Sequence, residues 1–207
     1  MVIGQESSEW TTVKSGIPQG SVLGPVLFVI FINDLPDALD STCKIFADDT
    51  KIYRAVKLPA DQDQLQIDLD KTSEWSLKWQ LPFNGSKSHS LHLGYGNTRH
   101  QYVLDGQPLD PTVEEKDLGV IIDDQLKFRR HAAVAVKRAN GVLACIRRTI
   151  KFKEKEMIVP LYVALVRPML EYGNVIWNPR YQADRILVER VLSPVSSISP
   201  TLLGWKL

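Results

Sequence analysis

Two adjacent carboxylates, Asp48 and Asp49, are the side chains of this 207-residue chain best placed to do chemistry. They lie between two strand-forming runs, residues 43–47 and 51–56, which predicts a β-hairpin with the acidic pair at its tip. Two carboxylates about 4 Å apart repel by ~4 kcal/mol at an effective dielectric of 20, and a cation between them removes that repulsion. Hard oxygen ligands favour Mg²⁺, so the pair indicates metal-assisted phosphoryl transfer. The alternative is an ordinary solvated turn.

A loop containing glycine and proline, residues 15–21, precedes the acidic pair by about one helix. Its glycines permit unusual dihedral angles and a close backbone approach to a ligand, and Pro18 stiffens the chain between them. Ser21 is a candidate helix N-cap, with Pro25 in the first turn. Residues 22–32 are almost wholly apolar but too short to span a bilayer, so we predict a helix buried against a sheet. The alternative is an ordinary loop before a core helix.

A lysine in a second turn is the third candidate for chemistry. Residues 81–87 read Leu-Pro-Phe-Asn-Gly-Ser-Lys and are followed by the alternating residues 91–94, which predicts a turn that enters a strand. A cation in an enclosed site can offset developing negative charge. Because an isolated turn lysine is usually only solvated, the assignment of Lys87 depends on the other two motifs.

The order of these parts (loop, apolar helix, strand ending in Asp-Asp, second strand) resembles the palm of reverse transcriptases from non-LTR, LINE-type retroelements of the CR1 and jockey groups. The loop Ser-Gly-Ile-Pro-Gln-Gly-Ser-Val-Leu-Gly-Pro is similar to the family's loop nearly letter for letter, and Phe-Asn-x-x-Lys resembles its next palm motif. The resemblance implies an RNA-directed DNA polymerase that uses two Mg²⁺ ions. Its partners would be an RNA template, a DNA primer or RNA/DNA hybrid, and dNTP, without a membrane.

The resemblance also implies roles for single residues. Asp48 and Asp49 would bind the metal ions, and Lys87 would assist the pyrophosphate leaving group. Four residues would line the path of nucleotide and template: Gln19, Gly20, Phe46 and Ala47. Four cations would contact the nucleic-acid backbone: Lys137, Arg138, Arg147 and Arg148.

The net charge of +1 hides a marked asymmetry along the chain. Acidic side chains outnumber basic ones across residues 34–74, and the balance reverses across residues 127–155, where Glu154 is the single acidic residue. The cations of the second segment are Lys127, Arg129, Arg130, Lys137, Arg138, Arg147, Arg148, Lys151, Lys153 and Lys155. Basic helices of this kind suit a phosphate backbone, and the alternative is a solvated basic face without a partner.

The predicted fold class is α+β. A partial palm, an antiparallel sheet packed by helices, would occupy residues 1–124, a helical thumb-like region residues 125–192, and a divergent, flexible tail residues 193–207. Residues 10–13 read as a strand that enters the loop.

Further elements follow from periodicity. Apolar residues three and four apart predict a helix over residues 61–80 with Trp75 and Trp79 in the core. Asp105-Gly106 predicts a hairpin turn. A strand over residues 118–122 would end at a second acidic pair, which we assign to a turn or helix start. Helices are predicted over residues 131–148 and 154–170, the second with proline kinks.

Composition limits the class of protein. A hydrophobic content of 44% suits a globular chain, and nothing indicates disorder. Cys43 and Cys145 lack the spacing of a disulfide scaffold, and the histidines form no zinc pattern with them. Because no basic leader precedes the apolar run, we expect an intracellular protein, nuclear or cytoplasmic, that is not secreted.

The chain departs from the family pattern at both ends, and the tail over residues 193–207 is the departure at its C-terminal end. The third palm carboxylate and the fingers would lie upstream of Met1, so we expect a truncated chain that binds Mg²⁺ weakly or not at all and is inactive by itself. The alternatives are a catalytically dead remnant that binds nucleic acid or protein, and an intron-maturase-like protein that shares the palm.

Overall fold

A computed structural model describes residues 2–3, 6–7, 20–150 and 154–196. Helices and strands are mixed along this chain, as predicted. The described residues fall into two compact units, which we treat separately. Unit 1 contains the residues up to Gly85 together with Tyr102–Pro108, and unit 2 contains Ser86–Gln101 together with the residues from Leu109 onwards. The boundary between palm and thumb after residue 124 remains a prediction.

The described strands are all short. They are β1 (Val2–Ile3), β2 (Glu6–Ser7), β3 (Thr42–Phe46), β4 (Asp49–Tyr53), β5 (His89–Leu91), β6 (Val103–Leu104), β7 (Gln107–Pro108), β8 (Asp110–Thr112), β9 (Glu114–Asp117) and β10 (Val120–Asp123). Antiparallel pairs form between β1 and β2, β3 and β4, β6 and β7, and β9 and β10, while β5 and β8 pair in parallel. The predicted antiparallel pairing is therefore present among the described residues, but as small two-stranded sheets in which each strand pairs with one neighbour.

The described helices are longer than the strands. They are α1 (Leu23–Ile32), α2 (Pro59–Trp79), α3 (Arg129–Thr149), α4 (Lys155–Leu161), α5 (Arg167–Glu171), α6 (Asn174–Trp177) and α7 (Gln182–Ser196). Short 3₁₀ turns cover Pro36–Ala38 and Gly85–Lys87. Helix α7 continues four residues into the segment predicted as a flexible tail. The remaining tail residues, 197–207, and the predicted strand at residues 10–13 lie outside the described residues.

Helix α1 begins as the sequence predicts, but its predicted burial is wrong. The Ser21 hydroxyl accepts the backbone N–H of Gly24 at 3.0 Å, as an N-cap does. Only Ile32 of this helix is buried, whereas Ile30 is 67% exposed. The core of unit 1 forms around Ile32, Leu35 and Trp75, and Phe28 of α1 packs against it from a partly buried position. No helix in the described ranges combines the length and apolarity needed to cross a bilayer.

Helix α2 organises the rest of unit 1. Thr72 and Trp75 are buried as predicted, but Trp79 is 38% exposed and meets the ring of Phe31 edge-on at 5.4 Å between centroids, so its predicted core position is wrong. Trp79 lies in the last turn of α2, which extends beyond the small core of unit 1. The Gln66 amide donates to the carbonyl of Val103 and accepts its N–H, both at 2.9 Å, which fastens the β6–β7 hairpin to α2.

The β6–β7 hairpin confirms the prediction made from Asp105-Gly106. Both turn residues have positive φ, +51° and +72°, as a tight two-residue hairpin turn requires. The glycine adopts this conformation without a side-chain penalty, and aspartate tolerates it better than most residues.

Unit 2 is built on the apolar face of α3. Five of the six predicted positions are buried in its core, and Val142 packs against it partly buried; the five are Ala132, Val136, Ala139, Leu143 and Ile146. The predicted helix over residues 154–170 forms as α4 and α5, joined by a π-helical segment, Tyr162–Val166, between Pro160 and Pro168. Because Pro168 lacks an N–H and its ring crowds the carbonyl four residues earlier, a widened turn accommodates it where a regular α-helix would clash.

Candidate functional site

The acidic pair lies at the tip of a β-hairpin, as predicted. Strands β3 and β4 pair from Thr42 with Tyr53 to Phe46 with Asp49, which leaves Ala47 and Asp48 as a two-residue turn. Ala47 has φ +52°, a left-handed conformation that costs an alanine about 1–2 kcal/mol. Strained backbone of this kind persists where the surroundings enforce it, and it is concentrated at functional sites.

The carboxylates at this tip are open to solvent. Asp48 and Asp49 are both exposed, and neither carboxylate forms a hydrogen bond or an ion pair within the part of the chain that the structure describes. No cluster of three or more His, Cys, Asp or Glu side chains is found there either. Exposed carboxylate oxygens suit Mg²⁺, which commonly takes one or two protein carboxylates and completes its shell with water and substrate phosphates. The donor set therefore fits Mg²⁺ but does not enclose it.

The other residues predicted to line the nucleotide path are only partly described. Gln19 lies outside the described residues. Gly20 has φ +83° and open space where a Cβ would stand, so it has the freedom predicted for the loop. Phe46, at the end of β3, is 62% exposed, and Ala47 is exposed beside it. Phe46 and Ala47 therefore adjoin the carboxylates along the hairpin.

A buried carboxylate at the base of this hairpin escaped the sequence analysis. Asp68 of α2 is fully buried, and its two oxygens accept the backbone N–H groups of Ser41 at 2.7 Å and Asp40 at 3.1 Å. Burial alone would raise the pKa of this carboxyl group, but hydrogen bonds from Ser41 and Asp40, with Lys71, hold it below its usual value. A signal was available: Asp68 precedes Thr72 and Trp75 by four and seven positions, which places it on the apolar face.

Lys87 ends the 3₁₀ turn before β5, so the predicted turn into a strand is confirmed. Its side chain is exposed, and no acidic partner is recorded for it among the described residues. Lys87 belongs to unit 2, whereas the acidic hairpin belongs to unit 1. Its role at the leaving group therefore stays a prediction from sequence resemblance.

The predicted backbone-binding cations are all exposed on α3, but they do not share one face. At 3.6 residues per turn, Lys137 and Arg148 lie within about 20° of each other around the helix axis, whereas Arg138 and Arg147 lie about 180° apart on opposite flanks. Arg130 falls on the same line as Lys137 and Arg148, although it is not among the four cations predicted to contact the nucleic-acid backbone. We call Arg130, Lys137 and Arg148 the basic stripe.

The second acidic pair is structural, as predicted. Asp123 accepts three backbone N–H groups, from Gln125 at 3.0 Å, Lys127 at 3.1 Å and Phe128 at 2.6 Å, and so ties the turn that leads into α3. These bonds outweigh the effect of burial and lower the pKa of Asp123. Asp124 pairs with Arg99 at 3.3 Å. With its oxygens already occupied by N–H donors, Asp123 is a poor metal ligand.

Comparison with known proteins identifies the family. The sequence profile described as "Reverse transcriptase (RNA-dependent DNA polymerase)" matches residues 2–135, which include the acidic hairpin, Asp68 and the loop before α1. No solved structure gives a significant match.

Curated relatives agree with the profile. The chain is 31% identical to the RNA-directed DNA polymerase from mobile element jockey of Drosophila funebris, over 89% of this chain and 22% of the relative. It is 28% identical to the probable RNA-directed DNA polymerase from transposon X-element of Drosophila melanogaster, over 80% of this chain and 19% of the relative. A retrovirus-related Pol polyprotein from the type-1 retrotransposable element R1 of Bradysia coprophila is 26% identical over 86% of this chain and 19% of the relative. The chain thus spans about a fifth of these relatives' length. The chain belongs to the reverse transcriptase (RNA-dependent DNA polymerase) family, and its relatives are polymerases of LINE-type retrotransposons.

Proposed function

We propose that this chain is the part of an RNA-directed DNA polymerase that supplies two metal-binding carboxylates, Asp48 and Asp49, to nucleotidyl transfer. The observation that supports it is the hairpin tip: two exposed acidic side chains beside Ala47, whose φ of +52° is unfavourable for alanine. The tip lies within the residues that match the family profile. Because the chain spans about a fifth of the curated relatives it matches, the activity of the whole polymerase is part of this proposal.

The reaction assigned to the site is a phosphoryl transfer, in which no atom changes its oxidation state. The 3′-hydroxyl oxygen of a primer attacks the α-phosphorus of a dNTP, the hydroxyl proton passes to water, the bond from that phosphorus to the bridging oxygen breaks, and pyrophosphate leaves. Asp48 and Asp49 would hold Mg²⁺, which would supply positive charge to the developing negative charge of the reaction. Asp48 and Asp49 hold that charge at the hairpin tip, while Gln19, Gly20, Phe46 and Ala47 take the roles along the nucleotide and template path that the family resemblance implies.

Metal binding gives a test that does not require synthesis. Mn²⁺ is a paramagnetic substitute for Mg²⁺ and broadens amide resonances near its binding site. We expect Mn²⁺ to broaden the amide signals of residues 47–50 at millimolar concentration, and Asp48→Asn to weaken this effect severalfold. Broadening that persists unchanged in the double variant Asp48→Asn, Asp49→Asn contradicts the proposal.

Synthesis is tested in the longest polypeptide that contains this segment, with an RNA template and a DNA primer. Asp48→Asn is expected to abolish Mg²⁺-dependent primer extension, because the loss of one metal-binding carboxylate removes charge stabilisation from the transition state. Lys87→Gln is expected to lower the rate of nucleotide addition with little change in primer–template affinity. If Lys87→Gln instead weakens duplex binding alone, the leaving-group role falls while the metal site stands.

A second function rests on a separate observation. The basic stripe, Arg130, Lys137 and Arg148, lies on one solvent-exposed line of α3, and the structure records no acidic partner for Lys137 or Arg148 among the described residues. Arg130 contacts Glu114 at 2.8 Å, but its side chain is 65% exposed. Cations in a row along a helix suit the phosphates of an RNA/DNA hybrid without reading its bases. A catalytically dead module would keep this binding and lose the metal response.

A further inference from the structure

We propose that Asp68 is a positioning residue for the acidic hairpin: its buried carboxylate holds the backbone at the point where the chain enters β3, and thereby orients Asp48 and Asp49. The inference rests on the proposed function, because it matters for chemistry only if the hairpin tip binds metal. Neither the family comparison nor the motifs of the sequence assign a role to this residue.

Among the described residues, no side-chain hydrogen bond holds the hairpin tip in place. Ala47, Asp48 and Asp49 are all exposed. Phe46, the last residue of β3, is 62% exposed. The direction in which the tip points is therefore set by the base of the hairpin and transmitted along the paired strands.

The base of the hairpin is held firmly to α2. Ser41 directly precedes β3 and is buried, and its N–H donates to Asp68 Oδ2 at 2.7 Å. The N–H of Asp40 donates to Asp68 Oδ1 at 3.1 Å. Lys71, one turn later in α2, contacts the carboxylates of both Asp68 and Asp40, at 3.4 Å and 2.8 Å. One buried side chain thus satisfies two successive backbone donors that would otherwise be left unpaired.

A second connection from α2 fixes the same segment at its other end. The indole N–H of Trp75 donates to Asp34 Oδ1 at 2.9 Å, and Trp75 packs with Ile32 and Leu35 in the core that Ile45 of β3 also contacts. Trp75 and Asp68 are seven positions apart, about two helical turns, and therefore lie on one face of α2. The chain between α1 and β3 is held at both ends by this face, so the hairpin leaves it in one direction.

The chemistry of the anchor calls for a carboxylate. Two N–H donors and an ammonium group face Asp68, and a carboxylate offers acceptors to all three. An asparagine has one acceptor oxygen and presents an NH₂ group to the remaining donor, so the backbone at Asp40 or Ser41 must shift. A shift at the hairpin base moves the tip, and metal sites respond to small displacements of their ligands.

The test compares Asp68→Asn with Asp63→Asn, a matched control with the same loss of charge at an exposed position of the same helix. Mn²⁺ is the probe, and the readouts are its apparent Kd from broadening at residues 47–50 and the hydrogen-exchange protection of the Ser41 amide. We expect Asp68→Asn to raise the Kd at least threefold and to lower protection at Ser41, with Asp63→Asn unchanged in both. A folded Asp68→Asn protein with the wild-type Kd overturns the inference.

Two further measurements keep the result decisive. If Asp68→Asn does not fold, Asp68→Glu is measured in its place. This variant keeps the charge and both acceptor oxygens but displaces them by one methylene. We expect the same rise in Kd, and a wild-type Kd overturns the inference. Asp48→Asn is titrated in parallel. The proposed function fails if Mn²⁺ does not broaden residues 47–50 of the wild-type chain, or if the broadening persists in Asp48→Asn. The positioning role of Asp68 then fails with it.

Discussion

The imidazole of His131, buried in unit 2, accepts the backbone N–H of Ile121 at Nδ1 across 3.1 Å. The bond joins the first turn of α3 to β10, and the ring of Trp177 meets the imidazole edge-on with centroids 4.9 Å apart. Only a neutral histidine can accept this N–H, so the contact requires the unprotonated ring. Burial, and secondarily the charge of Arg138, lower the pKa of His131 below its ordinary value of 6.5.

His131 makes the stability of unit 2 depend on pH. Because its pKa is lower in the folded state, the unfolded chain binds more protons in the window below 6.5. The stabilisation is therefore complete above pH 6.5 and is lost as the pH falls through the lowered folded-state pKa, with a slope of at most about 1.4 kcal/mol per pH unit. Urea unfolding between pH 5 and 8 measures it. His131→Asn should flatten this dependence, whereas His89→Gln, at an exposed position, should leave it unchanged.

Asp123 should matter for folding and Asp124 much less. Asp123→Ala removes the acceptor for three backbone N–H groups before α3, and we expect a loss of about 1–3 kcal/mol in the free energy of unfolding. Asp124→Ala removes a pair with Arg99, whose side chain is 65% exposed, and should cost less than about 1 kcal/mol. Chemical denaturation compares the two. Equal losses would contradict the structural role assigned to Asp123.

Two glycines should respond to alanine in opposite directions. Gly173 precedes α6 with φ +66°, and an added Cβ would lie 3.0 Å from Val120 Cγ2, so Gly173→Ala should destabilise by more than about 1–2 kcal/mol. Gly141 lies inside α3 with nothing within 4 Å of an added Cβ. Gly141→Ala should stabilise by about 0.5–1 kcal/mol, since alanine favours the helix. Thermal unfolding of the two variants gives the comparison, and a lower Tm for Gly141→Ala would be the contrary result.

The basic stripe predicts a difference between two double variants of equal charge. Lys137 and Arg148 share one line of α3 and can meet one duplex together, whereas Arg138 and Arg147 lie on opposite flanks. Each phosphate contact contributes about 0.9 to the slope of log K against log salt concentration for a DNA duplex. For an RNA/DNA hybrid we expect Lys137→Gln with Arg148→Gln to reduce the slope by roughly twice as much as Arg138→Gln with Arg147→Gln. Titration by fluorescence anisotropy at several salt concentrations measures both, and equal slopes would dismiss the stripe.

Predictions from local patterns are confirmed where a short range of residues decides the structure. The N-cap at Ser21, the hairpin turn at Asp105-Gly106 and the apolar face of α3 all follow from preferences within a few positions. The acidic pair at the tip of the β3–β4 hairpin follows in the same way, because strand propensity and the turn are local. The π-helical segment lay beyond such rules, although the prolines that bracket it were noted as probable kinks.

Contacts between distant parts of the chain were not predictable by these rules. An apolar helix was expected to be buried, yet α1 buries Ile32 alone among its described residues, because composition does not say which faces find a partner. The parallel pairing of β5 with β8 joins strands separated by residues 92–109, and no local pattern specifies it. In the sequence Asp68 is one of many acidic residues in a charged segment. Its structural role depends on two backbone N–H donors that lie 27 and 28 positions away.

By itself the sequence determined the family, the hairpin that carries Asp48 and Asp49, and the helices α1, α2 and α3, because motif order and side-chain periodicity are properties of neighbouring residues. Only the tertiary structure decided that Asp68 holds the base of that hairpin, and that Asp123 is occupied by backbone donors while Asp48 is open. Each of these depends on burial and on which backbone N–H groups lack another partner, and both are properties of the folded chain.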